Sequence, residues 1–426
     1  MMKTIEKIYQ LYSQKYLVTT DSRKIENGSV FVALKGEHFD GNDFAYQVAT
    51  ENVAACVIAD RKDLPQHERL FIVDDSLSAL QELAKMHRER CQTPIIGITG
   101  TNGKTTTKEL VAAVLSQKYN IIYTQGNFNN HLGVPLTLLQ IKPDTEIAVV
   151  EMGANHPKEI EFLCSLAQPN FGIITNIGKA HIEGFGSFDG VVKTKNELYD
   201  FIKNTNGLVF FNNDNPLLKD LAQSLNSVNY GKNDNADYHA EILSSNPYLS
   251  INWNNKTINT KLVGDYNFEN VMAAISVGMH FNIEQEQIIK ALENYSPTNN
   301  RSQFIRTDKN EVVMDAYNAN PVSMSNSIQN FRNISDSNHL LILGDMKELG
   351  KESLNEHQEI LNLIERLNFK NVILVGSEFS SVNNSFISFS NVDELINHIN
   401  QNEISGKKIL IKGSHSIHLE KIINLL

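Results

Sequence analysis

Short apolar runs alternate with longer stretches in which apolar residues recur every three or four positions, and this pattern continues along most of the chain. Compact apolar runs predict strands and the longer period predicts amphipathic helices. Residues 29–34 and 70–73 read as strands, followed by a helix over about 77–90. Pro94 marks a restart, and 95–99 is a buried strand running into glycine. Leu110, Val111, Val114 and Leu115 then return at helical spacing. Further strands are expected at 147–150, 171–175 and 208–211. Residues 226–262 are polar and rich in asparagine, but Leu249, Ile251 and Trp253 alternate ahead of Asn254 and Asn255, which predicts a hairpin with Trp253 as a packing residue. The segment 296–300 reads as a linker. Apolar runs at 311–314, 340–343, 372–375 and 409–411, spaced by helical patterns, form a further α/β unit. Strand and helix in alternation imply an α/β fold with mainly parallel sheets.

Composition narrows the picture. A chain of 426 residues has room for two to four domains of ~100–200 residues, and 41% hydrophobic residues suffice for sizeable cores. A net charge of −11 argues against nucleic acid as a partner, because binding a phosphate backbone needs a basic footprint. A nucleotide needs only a local site and is not excluded. Cys56, Cys91 and Cys164 lack metal or redox spacing and read as buried or free thiols in a reducing compartment. Charges interrupt the apolar positions of 1–16, unlike a signal peptide. No run approaches the ~20 apolar residues of a membrane span, so the cytosol is the expected location.

The strand at 95–99 leads into Gly100-Thr101-Asn102-Gly103-Lys104-Thr105-Thr106 and then into a helix. Backbone N–H groups at such a helix start can cradle phosphates, and glycine lets the backbone come close. Lys104 would reach the terminal phosphates from a solvent-facing loop, and the Thr105 hydroxyl would meet Mg²⁺. The usual spacing places a glycine five residues before Gly103, where this chain has Ile98, so the loop is a variant. Its bland reading is a tight strand–helix turn with a surface lysine.

Glu151 closes an apolar run and should sit at a strand's carboxyl end, where ligands of open α/β sheets gather. A carboxylate there suits Mg²⁺. His181 lies a few residues past the next strand. Read alone, Glu151 could equally be a loop residue, and His181 a capping or packing residue. Their company with the phosphate loop is what favours a metal centre.

Three motifs together, GTNGKTT at 100–106, EMGANH at 151–156 and NIGKAH at 176–181, resemble the Mur ligase family, and the similarity runs nearly end to end. Thr20-Asp21-Ser22-Arg23 and FVALKGEHFDG at 31–41 resemble the family's UDP-binding domain, implying Ser22, Arg23, Lys35, Gly36 and Asp40 as substrate contacts. GNFNNHLGVPLTLL at 126–139, AYNANPVSM at 316–324 and LGDMKELG at 343–350 resemble the branch that adds D-alanyl-D-alanine. They imply substrate roles for Asn127, Asn129, Asn130, Tyr317, Asn318 and Asn320. The DNPR motif of the branch that adds a diamino acid is not seen.

The resemblance also implies that Lys195, in KTKNEL, becomes carbamylated and joins Thr105, Glu151 and His181 around two Mg²⁺ ions. A carbamate offers oxygen where a free ammonium, with an ordinary pKa of about 10.4, would repel the metal. From the residues alone, Lys195 is a solvated helix lysine. Asn267 and Asn270, in GDYNFENVMAA, match the adenine-contacting positions, although Asn267 also reads as a helix cap. Arg301 and Asp315 match residues that meet the nucleotide when the enzyme closes. The chain departs from the family pattern at His415, Met314 and Asn42.

The implied architecture is three α/β domains: 1–92 binding the UDP end, 93–296 a P-loop ATPase domain with a mainly parallel sheet, and 297–426 a Rossmann-like domain bringing the dipeptide. The implied activity is ATP-dependent amide ligation of D-alanyl-D-alanine to UDP-N-acetylmuramoyl-tripeptide, with Lys104, Glu151, His181 and Lys195 at the catalytic centre. His181 and His156 are candidates for the base acting on the amine, and a monomer is expected. The alternatives are a ligase adding one amino acid to the dipeptide precursor and a non-catalytic nucleotide-binding protein on the same scaffold.

Overall fold

The computed structural model describes residues 2–51, 53–298, 301–334 and 338–426. The expected linker is therefore covered only in part, since Asn299 and Asn300 lie outside the described residues.

The first sheet is parallel, with strands β1 (Val18–Thr19), β2 (Val30–Val32), β3 (Cys56–Ala59) and β4 (Leu70–Ile72) in that order. Successive side chains of a strand face opposite ways, and both faces here are covered. Val30, Val32, Cys56 and Ile58 pack under the helices Met2–Tyr12 and Ser76–Arg90. Phe31, Ala33, Val57 and Ala59 pack with residues of the helix Asn42–Glu51.

The central sheet holds β5 (Ile95–Thr99), β6 (Ile121–Tyr123), β7 (Ile147–Glu151), β8 (Phe171–Ile174), β9 (Leu208–Asn212), β10 (Ser227–Gly231) and β11 (Tyr238–His239). Its order is β11-β10-β9-β8-β5-β7-β6, all parallel. The chain passes from β5 outward to β6, back to β7, and then across to β8. The strand order thus reverses beside β5, and such a reversal opens a crevice at the carboxyl ends of the strands. An antiparallel sheet follows: β12 (Glu241–Ser244), β13 (Tyr248–Trp253) and β14 (Lys256–Val263). The expected hairpin is β13–β14. Asn254 and Asn255 both have positive φ, 50° and 60°, which suits a two-residue turn of the primed kind. Trp253 is buried in the core, as expected.

The third sheet has the order β15 (Gln303–Arg306), β16 (Glu311–Asp315), β20 (Lys408–Lys412), β17 (His339–Gly344), β18 (Val372–Val375) and β19 (Ile387–Phe389), with only β15 antiparallel to its neighbour. The strands predicted from apolar runs are all present. The pattern misses β1, β6, β11, β12, β15 and β19, which are short edge strands, and also β3 and β10. An edge strand is half exposed and carries a weaker apolar signal.

The first two sheets are fastened together by polar contacts beneath one continuous apolar cluster that runs from Ile5 through Ile95 to Phe211. The Tyr12 hydroxyl donates to the Leu139 carbonyl at 2.9 Å, and His87 Nε2 lies 2.9 Å from the Ile141 oxygen. Buried Arg88 donates to the carbonyls of Ala167, Cys91, Thr93 and Gln168 and to the Asn170 side chain. Truncating it would strand these acceptors in the interior. Arg88→Ala should lower unfolding stability by about 3 kcal/mol, the scale of losing charge-assisted hydrogen bonds at a buried site. Urea titration tests this, and a loss below about 0.5 kcal/mol, the size of an ordinary surface substitution, would contradict it.

Candidate active site

Strand β5 ends at Thr99, and the chain turns through Gly100 and Gly103 into the helix Lys104–Leu115. Two glycines are required there. Gly100 has φ +143°, and a Cβ would fall 2.0 Å from the Thr175 hydroxyl oxygen; Gly103 has φ +77°, and a Cβ would fall 2.5 Å from Asn270 Oδ1. The expected first glycine of the ordinary loop is indeed absent, because Ile98 is a fully buried strand residue. The loop is instead stitched to the NIGKAH segment. Thr101 N donates to the Asn176 carbonyl, Asn102 N donates to Asn176 Oδ1, and the Thr175 hydroxyl donates to the Asn102 carbonyl.

This loop forms one wall of a cavity of about 800 Å³. Thr101 to Thr106 line it, joined by Asn127, Asn129, Asn130, Glu151 and His181 from the central sheet. Asn267 and Asn270 line the side next to Gly103, and Arg301, Asp315, Tyr317 and Asn318 come from beyond the linker. Gly100 and Asn320 lie just behind the lining; Asn320 Nδ2 donates to Asn102 Oδ1 at 2.7 Å. Ser22, Arg23, Lys35, Gly36 and Asp40 belong to the first sheet's loops and do not line this cavity. There Arg23 pairs with Asp21, Asp40 pairs with Arg61, and Lys35 bridges to Asp40 across a turn.

Glu151, the last residue of β7, is wholly buried. Its Oε1 accepts from Asn129 Nδ2 at 2.8 Å and from the Thr105 hydroxyl at 3.2 Å. Its Oε2 has no hydrogen-bond partner and lies 3.8 Å from Lys108 Nζ, itself buried without one. Lys108 escaped the sequence reading, although its place one turn after Lys104 on the same helix was a usable signal.

Several expectations need correction. Lys104 is half-buried and does not face solvent freely: its Nζ donates to the Gly100 and Thr101 carbonyls at 2.8 and 3.0 Å. Burial brings its pKa down to about 8, with Glu151 opposing the shift and Arg301 adding to it. The residue-only reading of Lys195 as a solvated lysine fails. Lys195 is buried on the stripe Val191, Lys195, Leu198, Ile202 of the helix Phe188–Asn204. Its Nζ lies 3.5 Å from the Ala154 carbonyl and 5.5 Å from the Phe185 ring centre. Burial first, and then Lys104, brings its pKa down to about 7. An apolar stripe with a lysine on it is the sequence signal for that burial.

Asn267 stands at the N-cap position of the helix Phe268–His280, as expected, but its side chain makes no capping bond. Its Nδ2 donates to the Val263 carbonyl and its Oδ1 accepts from Asn270, whose own Oδ1 accepts from the Thr107 hydroxyl. His156 is exposed, outside the cavity, and close to Glu159. His181 lines the cavity with φ +52°, its Nδ1 2.5 Å from Glu348 Oε2. Among the described residues, no three His, Cys, Asp or Glu side chains converge as a metal cluster.

In the third domain, register puts Asp315 opposite Lys412 at adjacent strand ends. The Lys412 ammonium donates to Asp315 Oδ2 at 2.6 Å, the Ser327 hydroxyl donates to the same oxygen at 2.9 Å, and Ser302 N donates to Oδ1. The Arg301 guanidinium stacks 3.8 Å over the Tyr317 ring, with His415 on the same ring at 5.6 Å. Of the other departures, Met314 is core, and Asn42 is buried and bonds both Asp40 and Asp60.

Three family models match in sequence: "Mur ligase family, catalytic domain" over 15–88, "Mur ligase middle domain" over 98–278 and "Mur ligase, glutamate ligase domain" over 300–415. The UDP-N-acetylmuramoyl-tripeptide–D-alanyl-D-alanine ligase of Bacillus subtilis is 36% identical over 422 residues, covering 95% of this chain and 92% of the relative. A crystal structure of MurF from Acinetobacter baumannii superposes with a TM-score of 0.84 at 30% identity, covering 99% and 97% of the two chains. The MurF ligase of Thermotoga maritima in complex with ADP superposes with a TM-score of 0.82 at 27% identity, covering 96% of each.

Gly103→Ala should weaken binding of an ATP analogue by at least about tenfold, because the new methyl group meets Asn270 and the left-handed backbone resists it. Calorimetry tests this, and unchanged affinity would show that the loop does not cradle the nucleotide.

Proposed function

The chain belongs to the Mur ligase family, and from that premise we propose that it joins D-alanyl-D-alanine to UDP-N-acetylmuramoyl-tripeptide at the expense of ATP, a step of peptidoglycan precursor synthesis. The observation that carries this reading is a shared cavity, where the phosphate loop and Glu151 of the central domain face Arg301, Tyr317 and Asn318 of the last domain. Phosphoryl transfer and acceptor binding can share that space. The YNANP and GDMKELG segments and the missing DNPR favour the dipeptide over a single amino acid. Retention of Lys104, Thr105, Glu151, His181 and Lys195 speaks against a non-catalytic copy.

In the first half-reaction the γ-phosphoryl of ATP passes to the tripeptide's terminal carboxylate, giving an acyl phosphate and ADP. In the second, the dipeptide amine attacks the acyl carbon, inorganic phosphate leaves and an amide remains. Loop N–H groups and Lys104 hold the phosphates, and Asn267 and Asn270 hold the base end. Lys104 already sits against the loop carbonyls, so it can turn its ammonium to an arriving phosphate without leaving the site.

The residues present fit magnesium, since a buried carboxylate oxygen of Glu151 lacks a partner beside the Thr105 hydroxyl. Thr105 and Glu151 would hold one ion, and Lys195 as a carbamate would help hold a second beside His181 and Glu151, supplying counter-charge for the phosphoryl oxygens. Burial of the Lys195 amine suits carbamylation, which needs the unprotonated form.

Ser22, Arg23, Lys35, Gly36 and Asp40 are assigned to the UDP end, with domain limits at 1–92, 93–296 and 297–426. No described helix is long and apolar enough to cross a membrane. We place the enzyme in the cytoplasm, acting as a monomer.

Phosphate release should require ATP, the tripeptide nucleotide and D-alanyl-D-alanine together. Turnover with the dipeptide precursor and a free diamino acid, but not with D-alanyl-D-alanine, would assign the chain to the other branch. Lys195→Arg should be as inactive as Lys195→Ala, because arginine keeps its charge and cannot form the carbamate. A short carboxylic acid in solution should partly restore the alanine variant. A fully active arginine variant would falsify the carbamate.

A further inference from the structure

We propose that Glu348 receives the ammonium group of the incoming dipeptide and so positions the nucleophile of the second half-reaction; this rests on the ligase reading above. The amine of a dipeptide is largely protonated near neutral pH, so a binding site for it needs a carboxylate facing the reaction space. Five carboxylates line the cavity among the described residues: Glu151, Glu159, Glu269, Asp315 and Glu348. Four are engaged elsewhere. Glu151 is held by Asn129 and Thr105 on the phosphate-loop side. Asp315 is held by Lys412, Ser302 and Ser327. Glu159 accepts from the backbone N–H groups of Asn155 and His156. Glu269 is turned toward Lys232 and Asn212, beside the asparagines assigned to the base end.

Glu348 differs in both place and support. It comes from the domain that brings the dipeptide, its side chain is 56% exposed, and its contact across the cavity is His181 at 2.5 Å. Its backbone is left-handed, φ +66°, a conformation that costs a residue with a Cβ and persists only where the surroundings impose it. Those surroundings are visible. Buried Asp345 accepts from the N–H groups of Glu378 and Phe379, Met346 N donates to His357 Nε2, and Lys347 N donates to the Ser414 hydroxyl. The loop is pinned on its own domain, independently of His181, and it aims the Glu348 carboxylate at the catalytic centre. An arriving ammonium would find there a fixed counter-charge beside the acyl phosphate; it gives up a proton to solvent, and the free amine then attacks the acyl carbon as inorganic phosphate leaves.

The test measures KM for each substrate by phosphate release in Glu348→Gln, Glu348→Gly and Glu348→Asp. Glutamine removes the charge but keeps the shape. Glycine removes the side chain and fits the left-handed backbone, so it guards against misfolding. In both, KM for D-alanyl-D-alanine should rise by at least about tenfold while KM for ATP stays within about twofold, as expected for a lost charge-assisted contact. Aspartate should recover part of the loss. A second readout replaces the dipeptide with hydroxylamine, a neutral amine that traps the acyl phosphate as a hydroxamate. Ligation to the dipeptide should fall at least about tenfold relative to hydroxamate formation. An unchanged KM for the dipeptide overturns the proposal, as does a parallel fall in dipeptide ligation and hydroxamate formation, which would make Glu348 a closure contact only. If wild-type enzyme forms hydroxamate but does not accept D-alanyl-D-alanine, the ligase assignment fails, and Glu348 loses its role with it.

Discussion

Taking a carboxylate out of water costs several kcal/mol unless donors and opposite charge replace the lost solvation, and Glu151 is buried at the end of a central strand. The way its charge is met organises the site. Asn129 must reach in from the 126–133 loop, and Thr105 must present its hydroxyl from the first turn of the helix. Lys108 must be drawn inside one turn later. Together these fix the phosphate loop against β7. The one carboxylate oxygen without a partner is where an added cation would complete the balance.

The same economy appears between domains. The first two sheets share an apolar cluster and an arginine that satisfies several carbonyls, which favours their moving as one body. The last domain meets the central one through a small apolar contact, where Val263 and Tyr248 join its core cluster, and through polar contacts: Asn320 on Asn102, Glu348 on His181, and Lys179 near Glu356. Exposed polar contacts of this kind are individually weak, and interfaces of this type usually permit relative motion. A cavity that needs residues from both sides can therefore open for substrates and assemble for reaction.

Much of the site was legible because its chemistry is local. A strand, two glycines, a lysine and a helix in succession create a phosphate cradle wherever they fold, since the N–H groups belong to consecutive residues. Most buried strands of the parallel sheets, though not β3, showed as apolar runs for the same reason, and Asn254-Asn255 announced its turn. Lys195 is the opposite case. A lysine in a charged helix looks solvated when read by itself, and only its place on the stripe of Val191, Leu198 and Ile202 hints at the covered face. Asn267 does stand at a helix N-cap, but its side chain is one link of a chain through Asn270 to Thr107.

By itself, then, the sequence determined the alternation of elements, the phosphate loop and, through its motifs, the family. Each of these depends on residues adjacent in the chain or on short patterns. Tertiary structure alone decided that Lys108 lies against Glu151, that the Lys195 amine lies against the Ala154 carbonyl, that Asp315 is matched by Lys412, and that Glu348 reaches His181. These pairings join residues far apart in sequence. Burial and partner choice follow from sheet order, register and domain placement, and no local pattern encodes those.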